Sequence, residues 1–122
     1  MQHPEYTIQC ALVSWCDVVA VAYPDVGLYI ATDPAGQRTP QAGARRKRMG
    51  VRAGVPDLMW PVARKGFHSL WLELKTDKGR LSPAQSDWLA RLAVQGHLAV
   101  CCHGLQEALD AVSGYFGVRV AR

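Results

Sequence analysis

Leu70-Trp71-Leu72-Glu73-Leu74-Lys75 alternates between leucines and larger or charged side chains. Successive side chains of a β-strand point to opposite faces of its sheet. The three leucines are therefore predicted to face a core, while Trp71, Glu73 and Lys75 share the other face. A carboxylate is costly to bury unless it is paired or bound to a cation. This strand thus predicts a site that holds an acid and an amine together.

A second strand-like segment, Gly54-Val55-Pro56-Asp57-Leu58, comes before this strand in the chain. If the strand over 57–60 lies beside the one over 69–75, Asp57 and Glu73 come close together. Two carboxylates and a backbone carbonyl are enough to hold Mg²⁺, because this ion keeps several of its waters. The two segments therefore predict a divalent-metal site with a lysine beside it, which suits the hydrolysis of a phosphodiester.

The order of these motifs resembles that of the VRR-NUC family, a branch of the PD-(D/E)XK nuclease superfamily. The matching stretches are Val55-Pro56-Asp57, Glu73-Leu74-Lys75 and Leu81-Ser82-Pro83-Ala84-Gln85, and the resemblance runs from Glu5 to about Tyr115. It implies a restriction-endonuclease-like α/β fold, in which a mixed β-sheet is flanked by helices on both faces. Residues 1–122 would then form a single domain of this type.

The resemblance also implies roles for the residues of the two strands. Asp57, Glu73 and the backbone carbonyl of Leu74 would bind Mg²⁺ or Mn²⁺, and Lys75 would position or activate the attacking water. Each has a plainer alternative: Asp57 could cap a turn, and Lys75 could be an ordinary surface residue. Glu73 and Lys75 could also form an ion pair on a solvent-exposed strand face, worth about 1 kcal/mol at most.

Two further residues are implied by the resemblance and have structural alternatives. Gln85 matches the family's site glutamine, and Glu5 matches an acid of the first helix that would join the catalytic residues and metal ligands. Ser82-Pro83-Ala84-Gln85 is equally a capping box, in which Gln85 bonds back to the Ser82 backbone N–H. Glu5 could merely favour the positive end of its own helix. Both alternatives stay open from the sequence.

A basic run, Arg45-Arg46-Lys47-Arg48 followed by Arg52, places five positive charges within eight residues. Such a run is usually a solvated face. Here it lies shortly before Asp57, and the family has a comparable basic segment, so we predict that it contacts DNA phosphates. The tryptophans outside the first helix are predicted to pack in the core or at its rim: Trp60, Trp71 and Trp88.

The remaining pattern predicts the other elements. Pro4 suits the first position of a helix, and the side chains at 8, 12, 15 and 19 recur at helical spacing. Turns are predicted over 24–27, 33–36 and 65–66, strands over 28–31 and 98–102, and helices over 40–48 (with Thr39 as its cap), 83–95 and 105–115. The helix over 83–95 is long enough to connect two parallel strands. The tail over 117–122 is an edge strand or a flexible end.

The four cysteines, Cys10, Cys16, Cys101 and Cys102, lack the spacing of a zinc site. We predict free thiols in a reducing compartment, with packing roles. Cys101 and Cys102 are adjacent in a predicted strand, so their side chains should face opposite ways. Zinc binding by Cys10, Cys16 and His103 is a remote alternative.

Composition sets the remaining limits. A chain of 122 residues with 49% hydrophobic and 20% charged residues suits one globular domain, and a net charge of +4 permits an acidic partner. Neither a membrane span nor a signal-peptide pattern is visible. We therefore expect a cytoplasmic protein without membrane contact or small-molecule cofactor, located in the host cytoplasm if a phage encodes it.

Together these features predict a metal-dependent DNA endonuclease. Stand-alone relatives resemble small dimeric nucleases that act on branched DNA such as four-way (Holliday) junctions, so we expect a homodimer with that substrate. The main alternative is a non-catalytic nucleic-acid-binding module that uses the basic run over 45–52. Cleavage of duplex DNA at a defined sequence is a weaker alternative, because the chain offers no separate specificity domain.

Overall fold

The computed structural model describes residues 4–32 and 40–119, and within them the chain forms a mixed sheet with helices. The helices are α1 (Pro4–Val19), α2 (Pro40–Arg48), α3 (Pro83–Val94) and α4 (Leu105–Phe116), and the strands are β1 (Ile30–Ala31), β2 (Leu58–Trp60), β3 (Leu70–Lys75) and β4 (Leu98–His103). A short 3₁₀-helix, Pro24–Leu28, follows α1. The order of elements agrees with the α/β fold expected from the sequence.

The sheet has the strand order β1-β2-β3-β4. β1 and β2 are antiparallel, as are β2 and β3, whereas β3 and β4 are parallel. The parallel pair is joined by α3, which confirms the predicted crossover. In the register of this pair, Glu73 lies opposite Cys101, and Lys75 lies opposite His103. The central strand β3 therefore carries both predicted site residues.

The core lies between one face of the sheet and the helices α1 and α4. The leucines of β3 are on this face and are buried against these helices. Burying each such side chain contributes roughly 1.5–3 kcal/mol. Two polar groups reach into this core, and each has a partner: the Trp60 indole N–H donates to the Val26 carbonyl at 2.8 Å, and the Tyr115 hydroxyl donates to the Val62 carbonyl at 2.5 Å. The buried core residues include Leu12, Cys16, Val26, Leu58, Trp60, Leu70, Leu72, Leu74, Cys102, Ala108, Val112 and Tyr115.

The opposite face carries Glu73 and Lys75 together with α3, whose Gln85 contacts Glu73. No residue of α3 is fully buried. β4 is also less buried than its apolar run predicts: α3 and α4 both contact it, yet only Cys102 is fully buried. β4 ends the sheet within the described residues, so its outer edge lacks the neighbouring strand that would complete its burial.

Several predicted boundaries shift. The strand predicted over 28–31 shortens to Ile30–Ala31, because the 3₁₀-helix extends to Leu28. No strand forms over 118–119: the Val118 N–H donates to the Ser113 carbonyl and closes α4, and the Arg119 N–H donates to the Tyr23 hydroxyl. The turn predicted over 33–36, the cap at Thr39 and the tail beyond Arg119 lie outside the described residues.

The four cysteines are free thiols, as predicted. Cys16 and Cys102 lie in the core, where burial raises the pKa of each to about 12. Cys101 points to the opposite face, beside Glu73. The zinc alternative is wrong for the described residues, which contain no cluster of three metal-binding side chains. Cys16 lies on the core side of the sheet, whereas His103 shares the face of Lys75.

Candidate active site

Glu73 is the centre of the candidate site. It is only 2% exposed, although it lies on the face opposite the core. Its Oε2 atom accepts a hydrogen bond from the Gln85 side-chain amide at 3.2 Å, whereas no N–H or hydroxyl group among the described residues donates to its buried Oε1 atom. An unpartnered buried carboxylate oxygen is costly. This arrangement therefore lowers the stability of the fold, and packing alone does not explain it.

Asp57 lies beside Glu73, where the chain enters β2. Its Oδ2 atom accepts a hydrogen bond from the Leu74 backbone N–H at 2.7 Å, and its own carbonyl accepts from the Thr32 N–H at 3.0 Å. The N–H and C=O groups of one strand residue point to the same side of that strand. The Leu74 carbonyl thus points towards the Asp57 side, just past the last paired residue of β2.

The loop before Asp57 is held against the start of α3. Gly54 adopts φ +87°, and a Cβ atom there would lie 2.7–2.9 Å from the backbone and side chain of Ala84. Only glycine fits such a position without a shift of the backbone. This close approach fixes the distance between the loop that carries Asp57 and the helix that carries Gln85.

The electrostatics of the two acids are unusual. Burial, then the negative charge of Asp57, and then a hydrogen bond that protonated Glu73 shares with Asp57 raise the pKa of Glu73 from 4.5 to about 8. The Lys75 ammonium opposes this effect, and the Glu5 charge adds to it. A carboxyl group that holds its proton at neutral pH lacks enough nearby positive charge. The pair therefore has room for an added cation.

Lys75 lies two residues further along β3. Its Nζ atom is 4.0 Å from Glu73 Oε2, and the residue is only 8% exposed. The aliphatic part of its side chain packs against Gly79, whose missing Cβ would lie 3.2 Å from Lys75 Cβ. The alternative of an ion pair on a solvent-exposed face is wrong, since both side chains are buried. Because desolvation can cost as much as the attraction within a buried ion pair contributes, the pairing of Glu73 with Lys75 is weak evidence that the two residues serve stability.

Gln85 forms the capping box that the sequence left open, and it also contacts Glu73. The Ser82 side chain accepts from the Gln85 N–H at 3.1 Å, and the Gln85 amide oxygen accepts from the Ser82 N–H at 2.8 Å. This is the predicted capping box. The same side chain uses its amide N–H₂ group to donate to Glu73. The cap therefore orients Gln85 towards the acid.

Glu5 occupies the first turn of α1 and is exposed. Its carboxylate is close enough to Glu73 to raise the pKa of that residue, and closer contacts are not observed. The position near the helix N-terminus also agrees with the plainer alternative of a favourable helix-dipole interaction. Glu5 is thus at the edge of the site rather than in its direct hydrogen-bond network.

The donor set fits a hard divalent cation. In the described residues no three His, Cys, Asp or Glu side chains are clustered tightly enough to ligate a metal. The available ligands are Asp57, Glu73 and the Leu74 carbonyl, all of them oxygens. A cation bound here would contact the Oε1 atom of Glu73, which lacks a donor, and would lower the raised pKa of this residue. Mg²⁺ accepts few protein ligands because it retains water.

A cleft of about 990 Å³ connects this site with the basic run. Arg46, Lys47 and Arg52 line it, together with Asp57 and Gln85. Three of the five predicted cations and the Asp57 carboxylate therefore line one cleft, whereas Arg45 and Arg48 are exposed and do not line it. Thr32 and Trp88, which sequence reasoning did not assign to the site, are among the other residues that line the cleft.

Comparisons with known proteins agree with this geometry. A family model described as the VRR-NUC domain matches residues 5–106. A solved structure described as a VRR_NUC domain protein is 27% identical, covers 96% of this chain and 91% of its own, and gives a TM-score of 0.77. The search among curated proteins finds no match. The family is generally one of nucleases. Because the family model matches most of the chain, the chain belongs to the VRR-NUC domain family and has its nuclease-type fold.

Proposed function

We propose that the protein is a metal-dependent DNA endonuclease that acts on branched DNA as a homodimer. The observation that carries the proposal is the buried Glu73 carboxylate, which has one unpartnered oxygen and lies beside Asp57 and Lys75. Gln85 and Lys75 partner one oxygen of this carboxylate, and a purely structural buried acid would have donors for both oxygens. Glu73 itself does not line the cleft, but both Asp57 and Gln85, which contacts it, do. A perturbed acid next to a cleft and beside specific charge partners is typical of a catalytic site.

Asp57, Glu73 and the Leu74 carbonyl would hold the Mg²⁺ or Mn²⁺ ion. When bound, such an ion neutralises phosphate charge and lowers the pKa of the attacking water. Asp57 is kept in place by the Leu74 N–H, and Glu73 by the Gln85 amide. Because both acids are fixed by hydrogen bonds before substrate arrives, little reorganisation is needed at the time of reaction.

Lys75 supplies a positive charge next to the acids. Its burial keeps the ammonium close to Glu73 and away from bulk water. In this position it would orient the attacking water or stabilise the negative charge that develops on the phosphate. Gln85 would act as a positioning residue that selects one orientation of the Glu73 carboxylate.

The first experiment is a cleavage assay on end-labelled flap, fork, four-way-junction and linear duplex DNA, with and without Mg²⁺. We expect metal-dependent cutting of the branched substrates and little cutting of the duplex. Binding without cutting, both with and without Mg²⁺, would instead favour the non-catalytic module. Cutting of the linear duplex at a defined sequence would favour a restriction-like activity.

The homodimer follows from the substrate, because a symmetric four-way junction requires two cuts, and two symmetry-related sites supply them. We expect a mass of two chains in sedimentation equilibrium at micromolar concentration. A monomer across that range, in the presence and absence of junction DNA, would contradict the dimer without affecting the assignment of the cleavage chemistry.

Substitution of Lys47 by Gln is expected to weaken DNA binding without changing the preference for branched over linear DNA. Lys47 is exposed on α2 and lines the cleft, so its charge would contact a phosphate. The slope of log K against log salt should fall in magnitude by about one. Fluorescence anisotropy at several salt concentrations measures this slope. Arg91→Gln is the matched control, since Arg91 does not line the cleft and pairs with Asp87 at 3.7 Å on the surface of α3. An equal change of slope in Lys47→Gln and Arg91→Gln would contradict the prediction.

A further inference from the structure

We propose that Trp88 and Arg52 form a stacking site for an unpaired nucleobase of DNA, in the same cleft as Asp57 and Gln85. The inference rests on the proposed nuclease function and deepens it, because it names the feature of branched DNA that the cleft selects. Aromatic rings and arginine guanidinium groups both stack on bases, and such stacking is tolerant of base identity. The sequence alone had indicated only a packing role for Trp88.

The position of Trp88 argues against a role in the core. Trp88 lies three residues after Gln85 on α3, so the two side chains share one side of the helix. Its ring lines the cleft and is half-buried, whereas Trp60 is completely buried. Its indole N–H donates to the Ala53 carbonyl at 3.1 Å. The loop that leads to Asp57 therefore fixes the orientation of the ring.

Arg52 provides the second surface. It is exposed, and its guanidinium carbon lies 5.9 Å from the centre of the Trp88 ring. This distance is near the outer limit of about 6 Å for a cation–π contact. A base in van der Waals contact with the indole lies about 3.5–4 Å from it, and the guanidinium would lie a similar distance beyond the base. A planar base could thus lie on the indole after a small movement of an exposed arginine, with the guanidinium on its other side.

The surroundings favour a whole nucleotide over an isolated phosphate. The cleft, at about 990 Å³, is at the upper end of the roughly 300–1,000 Å³ typical of ligand pockets. Arg46 and Lys47 also line it and would contact the phosphates on either side of the base.

The base in question must be unpaired. Inside a duplex both faces of a base are covered by its neighbours, and extruding it costs free energy. At a flap or fork unpaired bases are already accessible, and at a four-way junction extruding a base next to the crossover costs less than extruding it inside a continuous duplex. The stacking site would therefore bind the nucleotide at the branch point and place the adjacent phosphate near Asp57. It would discriminate against linear duplex without reading sequence.

The test uses the full chain and DNA that carries 2-aminopurine, a fluorescent base whose emission falls when it stacks. One substrate is a fork with 2-aminopurine as the first unpaired base, and the other is a linear duplex with the same base paired. Binding is measured in EDTA, so that cleavage plays no part. We expect quenching on addition of protein to the fork and none with the duplex.

Variants then assign the effect to the proposed residues. Trp88→Leu should weaken fork binding about tenfold and abolish the quenching, with duplex affinity changed by less than about twofold. Trp88→Phe should retain most of both. Arg52→Gln tests the second surface and, because Arg52 is exposed, should leave folding unchanged. Trp71→Phe is the matched control, since Trp71 donates to the Ser69 hydroxyl at 2.9 Å and does not line the cleft.

Two outcomes overturn the inference: no quenching on the fork with wild-type protein, or equal losses on fork and duplex for folded Trp88→Leu. If Trp88→Leu does not fold, fork affinity and quenching that are both unchanged in Arg52→Gln overturn it as well. Quenching in EDTA by a protein that never cuts DNA with Mg²⁺ would contradict the nuclease proposal alone, so the two failures are distinguishable.

Discussion

Glu73→Gln is expected to reduce metal-dependent DNA cleavage by roughly 10³-fold or more, with the chain still folded. The change removes the carboxylate that would ionise on binding metal and keeps the shape of the side chain, and its amide oxygen can still accept from Gln85. Loss of this charge removes a metal ligand and therefore metal binding and rate together. Asp57→Asn should have the same effect, because it also removes an anionic ligand.

The choice of substitution matters at Asp57. Its carboxylate accepts the Leu74 N–H at 2.7 Å, so Asp57→Ala would leave a backbone donor without its partner at a cost of about 1–3 kcal/mol. Asn keeps an acceptor oxygen and separates loss of chemistry from loss of stability. Asp87→Asn on the surface of α3 is the control and should cut like the wild type. Wild-type cutting by Glu73→Gln or Asp57→Asn would refute the assignment.

The metal-free protein is expected to lose stability as the pH rises from about 4.5 to about 8. In this interval the unfolded chain has lost the Glu73 proton, whereas the folded chain, in which the pKa is about 8, retains it. The folded state therefore binds more protons, and raising the pH favours unfolding. The contribution of Glu73 is fully present below pH 4.5 and lost as the pH passes 8, and it is on the order of a few kcal/mol.

Chemical denaturation in EDTA at several pH values measures this dependence. Glu73→Gln has no proton to lose at residue 73, so its stability should fall less over the same interval and exceed that of the wild type at pH 8. Added Mg²⁺ should stabilise the wild type more at pH 8 than at pH 5, since metal binding requires the deprotonated ligand. Parallel pH profiles for the two proteins would show that Glu73 is not the responsible group.

Much of the fold could be predicted because local signals and the sheet agree. The alternation of Leu70 to Lys75 gave the correct faces of β3, and the helix that follows gave the parallel partner strand. The position of β4 at the sheet edge could not be predicted from its sequence. An apolar run reports contact with neighbouring layers, and it does not report whether another strand lies beside it.

The site was predictable in its residues and less so in its arrangement. Asp57 and Glu73 could be brought together by assuming adjacent strands, but the bond from Asp57 to the Leu74 N–H depends on where β2 pairing stops. Trp88 carried a helical apolar pattern that is typical of packing. The close approach of Gly54 to Ala84 and the hydrogen bond from Trp88 to Ala53 hold the loop that carries Arg52 beside that ring, and sequence spacing does not encode such contacts.

The double role of Gln85 restricts which amino acid evolution can accept there. A capping box normally tolerates Glu as well as Gln at its third helical position, because either side chain can accept the N-cap N–H. At position 85 a glutamate would cap α3 equally well, yet it would place a third acid against Glu73 and lose the amide donor. A substitution that is neutral for the helix would thus be harmful to the site, and this one position joins the folding code of α3 to the chemistry of β3.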